Sequence, residues 1–141
     1  MSFYLDTSVI VPLFVDEPSA AAIAALLAET AVPLMVTEFA AGEFASALSR
    51  LVWTGRLPAR IARGCLDDFD GWRVVHSLSP PVDPVDIRLA GLFVRRFDLK
   101  LRLPDAIHAA TAQRLGATMV TFDRRLADAA AALGIAVTVP S

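Results

Sequence analysis

The chain has 141 residues, with 13 Lys and Arg against 15 Asp and Glu, and it is 55% hydrophobic and 20% charged with a formal net charge of -2. The length suits one domain of ~100–150 residues, and a chain this apolar buries enough surface to fold, which excludes disorder as its main state. Cys65 is the one cysteine, which excludes a disulfide scaffold, and one Cys with two His argues against structural zinc.

Phe3 to Leu5 is a short apolar run that stops at Asp6 and reads as a buried strand, with Thr7 and Ser8 opening a turn or helix. Pro12 is expected in a first helical turn. Ala20, Ile23, Ala24 and Leu27 recur at helical spacing. Leu34 to Val36 is a second strand candidate, and Thr37 can cap the helix that follows. The apolar stripe of that helix is Phe39, Ala40, Phe44, Ala47, Leu48, Leu51 and Val52, and Gly55 ends it. A further helix begins at Pro58, carries Ile61, Cys65, Leu66 and Phe69, and is expected to stop at Gly71. Arg73 to His76, centred on Val74 and Val75, reads as a third strand, and Ser79 to Pro84 as a loop. Val85, Leu89, Leu92, Phe93 and Phe97 share a helical face, and Pro104 opens a helix carrying Ile107, Ala110, Thr111 and Leu115. Thr118 to Phe122 reads as a strand ending at Asp123. Leu126, Ala129, Ala130 and Leu133 mark a helix, and Ile135 to Val139 a final strand expected at a sheet edge. This alternation of helices with short apolar strands predicts an α/β fold, a three-layer α/β/α sandwich around a central, mainly parallel five-stranded sheet. Residues 1-141 form one domain in this reading, with no internal repeat and no dividing linker.

Ligands of open parallel sheets bind beyond the carboxyl ends of the strands. Asp6 and Asp123 follow strands and occupy that place, while Asp105 falls in the first turn of a helix. Glu43 interrupts an otherwise apolar stripe between Ala40 and Ala47, where a carboxylate is costly unless something compensates it. Each Asp also has a structural reading. Asp6 and Asp123 could cap the helices that follow them, and Asp105 could favour the positive end of its helix. Together, four carboxylates at one sheet edge would raise one another's pKa, a penalty that a divalent cation removes. Hard oxygen donors without a Cys or His cluster favour Mg2+ or Mn2+ over zinc.

Four short blocks in order resemble the PIN-domain family, and within it the small VapC-like toxin ribonucleases. They are Leu5-Asp6-Thr7-Ser8, Glu43 followed by Ala47-Leu48, Asp105-Ala106-Ile107-His108-Ala109-Ala110, and Val120-Thr121-Phe122-Asp123. The resemblance spans nearly the whole chain. It implies a parallel sheet wrapped by helices, metal-dependent endoribonuclease cleavage of RNA phosphodiesters, an antitoxin partner and a homodimer. The family's acids carry over to Asp6, Glu43, Asp105 and Asp123, and its small hydroxyl residues to Thr7, Ser8 and Thr121. In metal-assisted hydrolysis a cation polarises the phosphate and activates a water. Asp6 and Asp123 are then expected as inner metal ligands and Asp105 as a ligand of the same or a second metal. Glu43 is expected to orient the water or move its proton. Lys100 is the one lysine, so phosphate handling falls to Arg, with Arg102, Arg124 and Arg125 near the blocks as RNA contacts or solvated surface. His108 and His76 are expected to be structural or surface residues outside the carboxylate cluster.

Other classes fit less well. A haloacid-dehalogenase-like phosphatase would need an Asp at the place of Ser8. A free-standing RNA-processing PIN protein and a non-catalytic partner-binding module of the same fold stay open. Met1 to Asp6 contain no basic region of a signal peptide, and no apolar run reaches the ~18 residues of a membrane helix, so a cytoplasmic protein without membrane association is expected. A mean hydropathy of +0.55 has two readings, alanine-rich helices or a surface hidden against a partner. The helices carrying Ile23 and Leu27, and Phe44, Leu48, Leu51, Val52 and Trp53, are where a second copy or an antitoxin segment would pack.

Overall fold

The computed structural model describes residues 1–141. Four parallel strands, β1 (Phe3–Leu5), β2 (Leu34–Met35), β3 (Thr118–Val120) and β4 (Val137–Thr138), form one sheet in the order β2-β1-β3-β4. The last strand lies at an edge, as its sequence position predicts. Seven helices connect and cover the sheet: α1 (Thr7–Phe14), α2 (Ala20–Glu29), α3 (Glu38–Trp53), α4 (Ala59–His76), α5 (Pro84–Val94), α6 (Leu103–Leu115) and α7 (Arg124–Ala132).

Alternation along the strands divides the core. Phe3, Leu5 and Val120 face a layer built with Ile10, Ile23, Phe44, Leu48 and Phe69 from α1 to α4. Tyr4 and Met119 face the other way, against Phe93, Ala106, Ala110, Leu126 and Ala130 from α5 to α7. Side chains alternate with period two in a strand, so one run of three residues serves both layers. The chain leaves β1 toward β2 on one side and later returns to β3 on the other. The switch in direction therefore lies between β1 and β3, where open α/β sheets place their ligand crevice.

The sheet has four strands rather than five. Arg73 to His76 form the last turn of α4, which runs through Gly71 to His76. Val74 and Val75 suggest a strand locally, but they lie on the outer face, 85% and 74% exposed. The inner stripe decides the outcome. Phe69 is buried, Trp72 packs 5.7 Å from Phe14 and 6.1 Å from His76, and Arg73 reaches Glu38 at 2.8 Å. What remains of a fifth strand is one parallel bridge from Leu78 to Met35. Pro12 also differs from expectation, since it sits inside α1 rather than in its first turn.

Thr37 caps α3 by accepting a bond from the Ala40 amide at 3.1 Å, as its position suggests. Gly116 ends α6 with φ 64, a left-handed conformation that disfavours side chains. The core uses most of the apolar stripe of α3, with Phe44 and Leu48 fully buried, while Trp53 at its end stays 71% exposed. Ile23 of α2 is likewise buried. No helix is long and apolar enough to cross a membrane.

Candidate functional site

The loops after β1 and β3 are laced together by hydroxyl groups. Asp6 follows β1, is 4% exposed, and caps α1 by accepting the Ser8 amide on Oδ1 at 3.0 Å. The Ser8 hydroxyl donates to the same oxygen at 2.6 Å, and the Thr121 hydroxyl donates to Oδ2 at 2.7 Å. Ser8 Oγ also accepts the Phe122 amide at 2.9 Å, and Thr121 Oγ1 accepts the Asp123 amide at 3.0 Å. Ser8 and Thr121 therefore tie the Asp123 loop to the Asp6 loop. Burial pushes the Asp6 carboxyl above its ordinary pKa, and the bonds from Ser8 and Thr121 offset this only in part.

Asp123 caps α7, with Oδ1 accepting the Leu126 amide at 3.2 Å. Asp105 stands in the first turn of α6, beside Arg102 at 3.7 Å. Its carboxyl is raised, first by burial and then by the charge of Asp123, with Glu43 adding in the same direction. These couplings bring Asp105, Asp123 and Glu43 into one electrostatic neighbourhood. Both loop acids cap the helices that follow them, and Asp123 also couples to Asp105.

Glu43 is half-buried on α3. Its Oε1 accepts the Thr7 hydroxyl at 2.7 Å and pairs with Nε2 of His108. Burial raises its carboxyl, but the hydrogen bonds from His108 and Thr7 help to outweigh that, and the net shift is downward. The same region thus holds Asp6 and Asp105 up and Glu43 down.

His108 is buried, 2% exposed, in keeping with a structural residue, but it does not stand outside the carboxylates: it bonds Glu43 on one side and Tyr4 on the other. Its only sequence signal is its place three residues after Asp105, on the same side of α6. Arg102, Arg124 and Arg125 are exposed. Arg102 touches Asp105, while Arg125 lines a separate pocket with Lys100, Asp98 and Asp128.

The donor set is all hard oxygen, the kind that suits a hard divalent cation, and burial holds two of its members above their ordinary pKa, with the charge of Asp123 adding at Asp105. The spacing is not yet that of a metal site. No three His, Cys, Asp or Glu side chains are gathered closely enough to hold an ion. Asp6 spends both oxygens on hydroxyls, and Asp123 spends one on its cap.

The chain belongs to the PIN-domain family, whose model matches residues 3–132, and within it to the VapC-like group. It is 36% identical to ribonuclease VapC46 of Mycobacterium tuberculosis over 143 aligned positions, covering 99% of this chain and 98% of that protein. Among solved structures, VapBC2 from Rickettsia felis, bound to a DNA fragment from its promoter, superposes with a TM-score of 0.72 at 14% identity over 100% of both chains. The sarcin-ricin loop cleaving toxin VapC20 of Mycobacterium tuberculosis gives 0.72 at 19% identity, over 90% of this chain and 94% of that one. Both structural likenesses concern the fold.

Proposed function

We propose that the chain is a divalent-metal-dependent endoribonuclease that hydrolyses RNA phosphodiester bonds, the toxin of a toxin–antitoxin pair. The observation that carries this reading is the buried Asp6 carboxylate, raised in pKa and bound by Ser8 and Thr121 at the switch point between β1 and β3. A carboxylate serving only as a helix cap has no need of a position buried to 4% exposure with both oxygens held by hydroxyls from two loops. The RNA substrate is supported by the relative named a ribonuclease. The protein partner is supported by the VapBC pairs of the same fold. Self-association as a homodimer belongs to the same proposal.

Asp6 and Asp123 would hold Mg2+ or Mn2+, with Asp105 as a further ligand. The cation would supply charge to the scissile phosphate and lower the pKa of a bound water. Ser8 and Thr121 fix the Asp6 carboxylate by bonding both its oxygens. Glu43, held below its ordinary pKa, stays ionised at neutral pH and is suited to accept a hydrogen bond from the attacking water and orient it. The N-terminal amides of α6 favour the anionic phosphate nearby. Arg102 and Arg124 would engage flanking phosphates.

One observation favours a second reading, a non-catalytic partner-binding module. The acids make internal bonds and form no ready metal cluster. Cleavage of a single-stranded RNA by the chelator-treated chain, followed on adding Mg2+ or Mn2+, separates the two. The enzyme reading expects cleavage to vanish with chelation and return with the cation. No cation-dependent cleavage of any RNA, by a chain freed of partner, contradicts it.

A further inference from the structure

The two oxygens of Glu43 are not equivalent. Both of its side-chain hydrogen bonds fall on Oε1, from Thr7 Oγ1 at 2.7 Å and from His108 Nε2. Oε2 is left without a protein donor. His108 is held as firmly as the acid it binds. Its Nδ1 meets the Tyr4 hydroxyl at 2.6 Å, and its ring lies 5.0 Å from that of Phe39 and 5.6 Å edge-on from that of Tyr4. Tyr4 is fully buried in β1. An ionised carboxylate only accepts, so Nε2 carries the ring hydrogen given to Glu43, and in the neutral imidazole Nδ1 is then the acceptor of the Tyr4 hydroxyl.

The four members come from four elements: Tyr4 from β1, Thr7 from α1, Glu43 from α3 and His108 from α6. Here both ring nitrogens are committed to side chains, and one of these is the half-exposed acid of the site.

We propose that Tyr4 and His108 form a positioning relay that fixes the Glu43 carboxylate through Oε1, so that Oε2 alone meets the attacking water. This rests on the reading of Glu43 as the water-orienting acid of RNA hydrolysis. Tyr4 holds the imidazole by Nδ1, His108 sets the carboxylate plane, and Thr7 closes the second bond on the same oxygen. Such outer partners typically change activity by about 10–100-fold when removed.

The test compares His108→Leu, His108→Gln, Tyr4→Phe and Glu43→Gln by kcat and KM on an RNA oligonucleotide, Mn2+ affinity by calorimetry, and melting temperature. His108→Leu is expected to lower kcat by about 10–100-fold with KM and Mn2+ affinity unchanged. His108→Gln returns an N–H donor toward Oε1 and should recover most of the loss. Tyr4→Phe keeps the ring but not the bond to Nδ1, and should fall between the two. Placed on Glu43→Gln, His108→Leu should cost nothing further, because the two act as one unit. A readout independent of activity is the His108 Nε2–H proton resonance, expected to be protected from exchange and to move upfield in Glu43→Gln. The relay is overturned if folded His108→Leu or Tyr4→Phe keeps the parental kcat, if His108→Gln matches His108→Leu in kcat, or if the proton resonance ignores Glu43→Gln. Should His108→Leu fail to fold, Tyr4→Phe, His108→Gln and the resonance decide alone. If Glu43→Gln itself cleaves at the parental rate, the role of Glu43 fails and the relay with it. If Glu43→Gln is impaired but the relay variants are not, only the relay fails.

Discussion

Asp6→Asn is expected to lower RNA cleavage by at least about a hundredfold, beyond the 10–100-fold typical of outer partners, while the melting temperature stays level or rises. The amide keeps an oxygen for the Ser8 amide and the shape of the side chain, so the α1 cap survives. What goes is the charge, together with the Oδ2 acceptor of the Thr121 hydroxyl, whose oxygen can turn to accept from the new amide N–H. The raised pKa of Asp6 means that the folded chain binds this proton more tightly than the unfolded chain does. Its ionisation therefore costs folding stability in full above the raised folded pKa. That cost fades as pH falls through the folded pKa to the ordinary carboxylate value. Parental stability should show this component of pH dependence, and Asp6→Asn should lack it, with Asp105 contributing the same sign in both. Activity lost from a chain of equal or greater stability is the trade expected of a site that stores unfavourable charge. Calorimetric melting across that pH range, beside cleavage rates, checks both halves. A variant that cleaves normally, or one that melts well below the parent, would contradict this reading.

Asp86→Ala should have the largest effect on stability and little on cleavage measured well below the melting temperature. Asp86 is 1% exposed in the first turn of α5. It binds Arg114 of α6 through Nε at 2.7 Å and Nη2 at 2.9 Å, and accepts the Asp83 amide at 2.9 Å. Burial pushes this carboxyl up, but the Arg114 bond, the Asp83 amide and the Arg114 charge more than reverse it, so the group ends below its ordinary pKa. Its stabilisation is therefore present above the unfolded pKa and is lost as pH falls through the depressed folded value. Removing it takes the acceptor from the Asp83 amide and from Arg114, which keeps the Pro81 carbonyl at 2.7 Å and Asp83 at 3.5 Å, a cost of about 2–3 kcal/mol. In a domain of this size that lowers the melting temperature by about 10 °C. A shift of one or two degrees in a scanning calorimeter would show that the pair is replaceable.

The parts legible in the sequence were those set by local pattern and punctuation. β1, β3 and the Thr37 cap follow from short apolar runs, a hydroxyl before a helical stripe, and the acids that stop the runs. Val74 and Val75 favour a fifth strand only locally, and they lie in α4. The helix was decided across the chain, by Phe69 and Trp72 packing on Phe14 and by Arg73 reaching Glu38. Glu43 stood out because a charge broke an apolar stripe. His108 did not, because Ala106 to Ala112 are all buried and periodicity singles out no face of α6. Its partners, Tyr4 and Glu43, lie 104 and 65 residues away along the chain. Distance in sequence hid the relay, while its residue types were in plain view.

The central claim is that Asp6 and Asp123, on the loops after β1 and β3, hold a divalent cation used to cleave RNA. Calorimetric titration of Mn2+ into the parent, Asp6→Asn and Asp123→Asn, run beside RNA cleavage by the same samples, tests it most directly. The expected result is saturable Mn2+ binding by the parent, with affinity and cleavage lost together in both variants. Unchanged Mn2+ affinity and unchanged cleavage in both would contradict it.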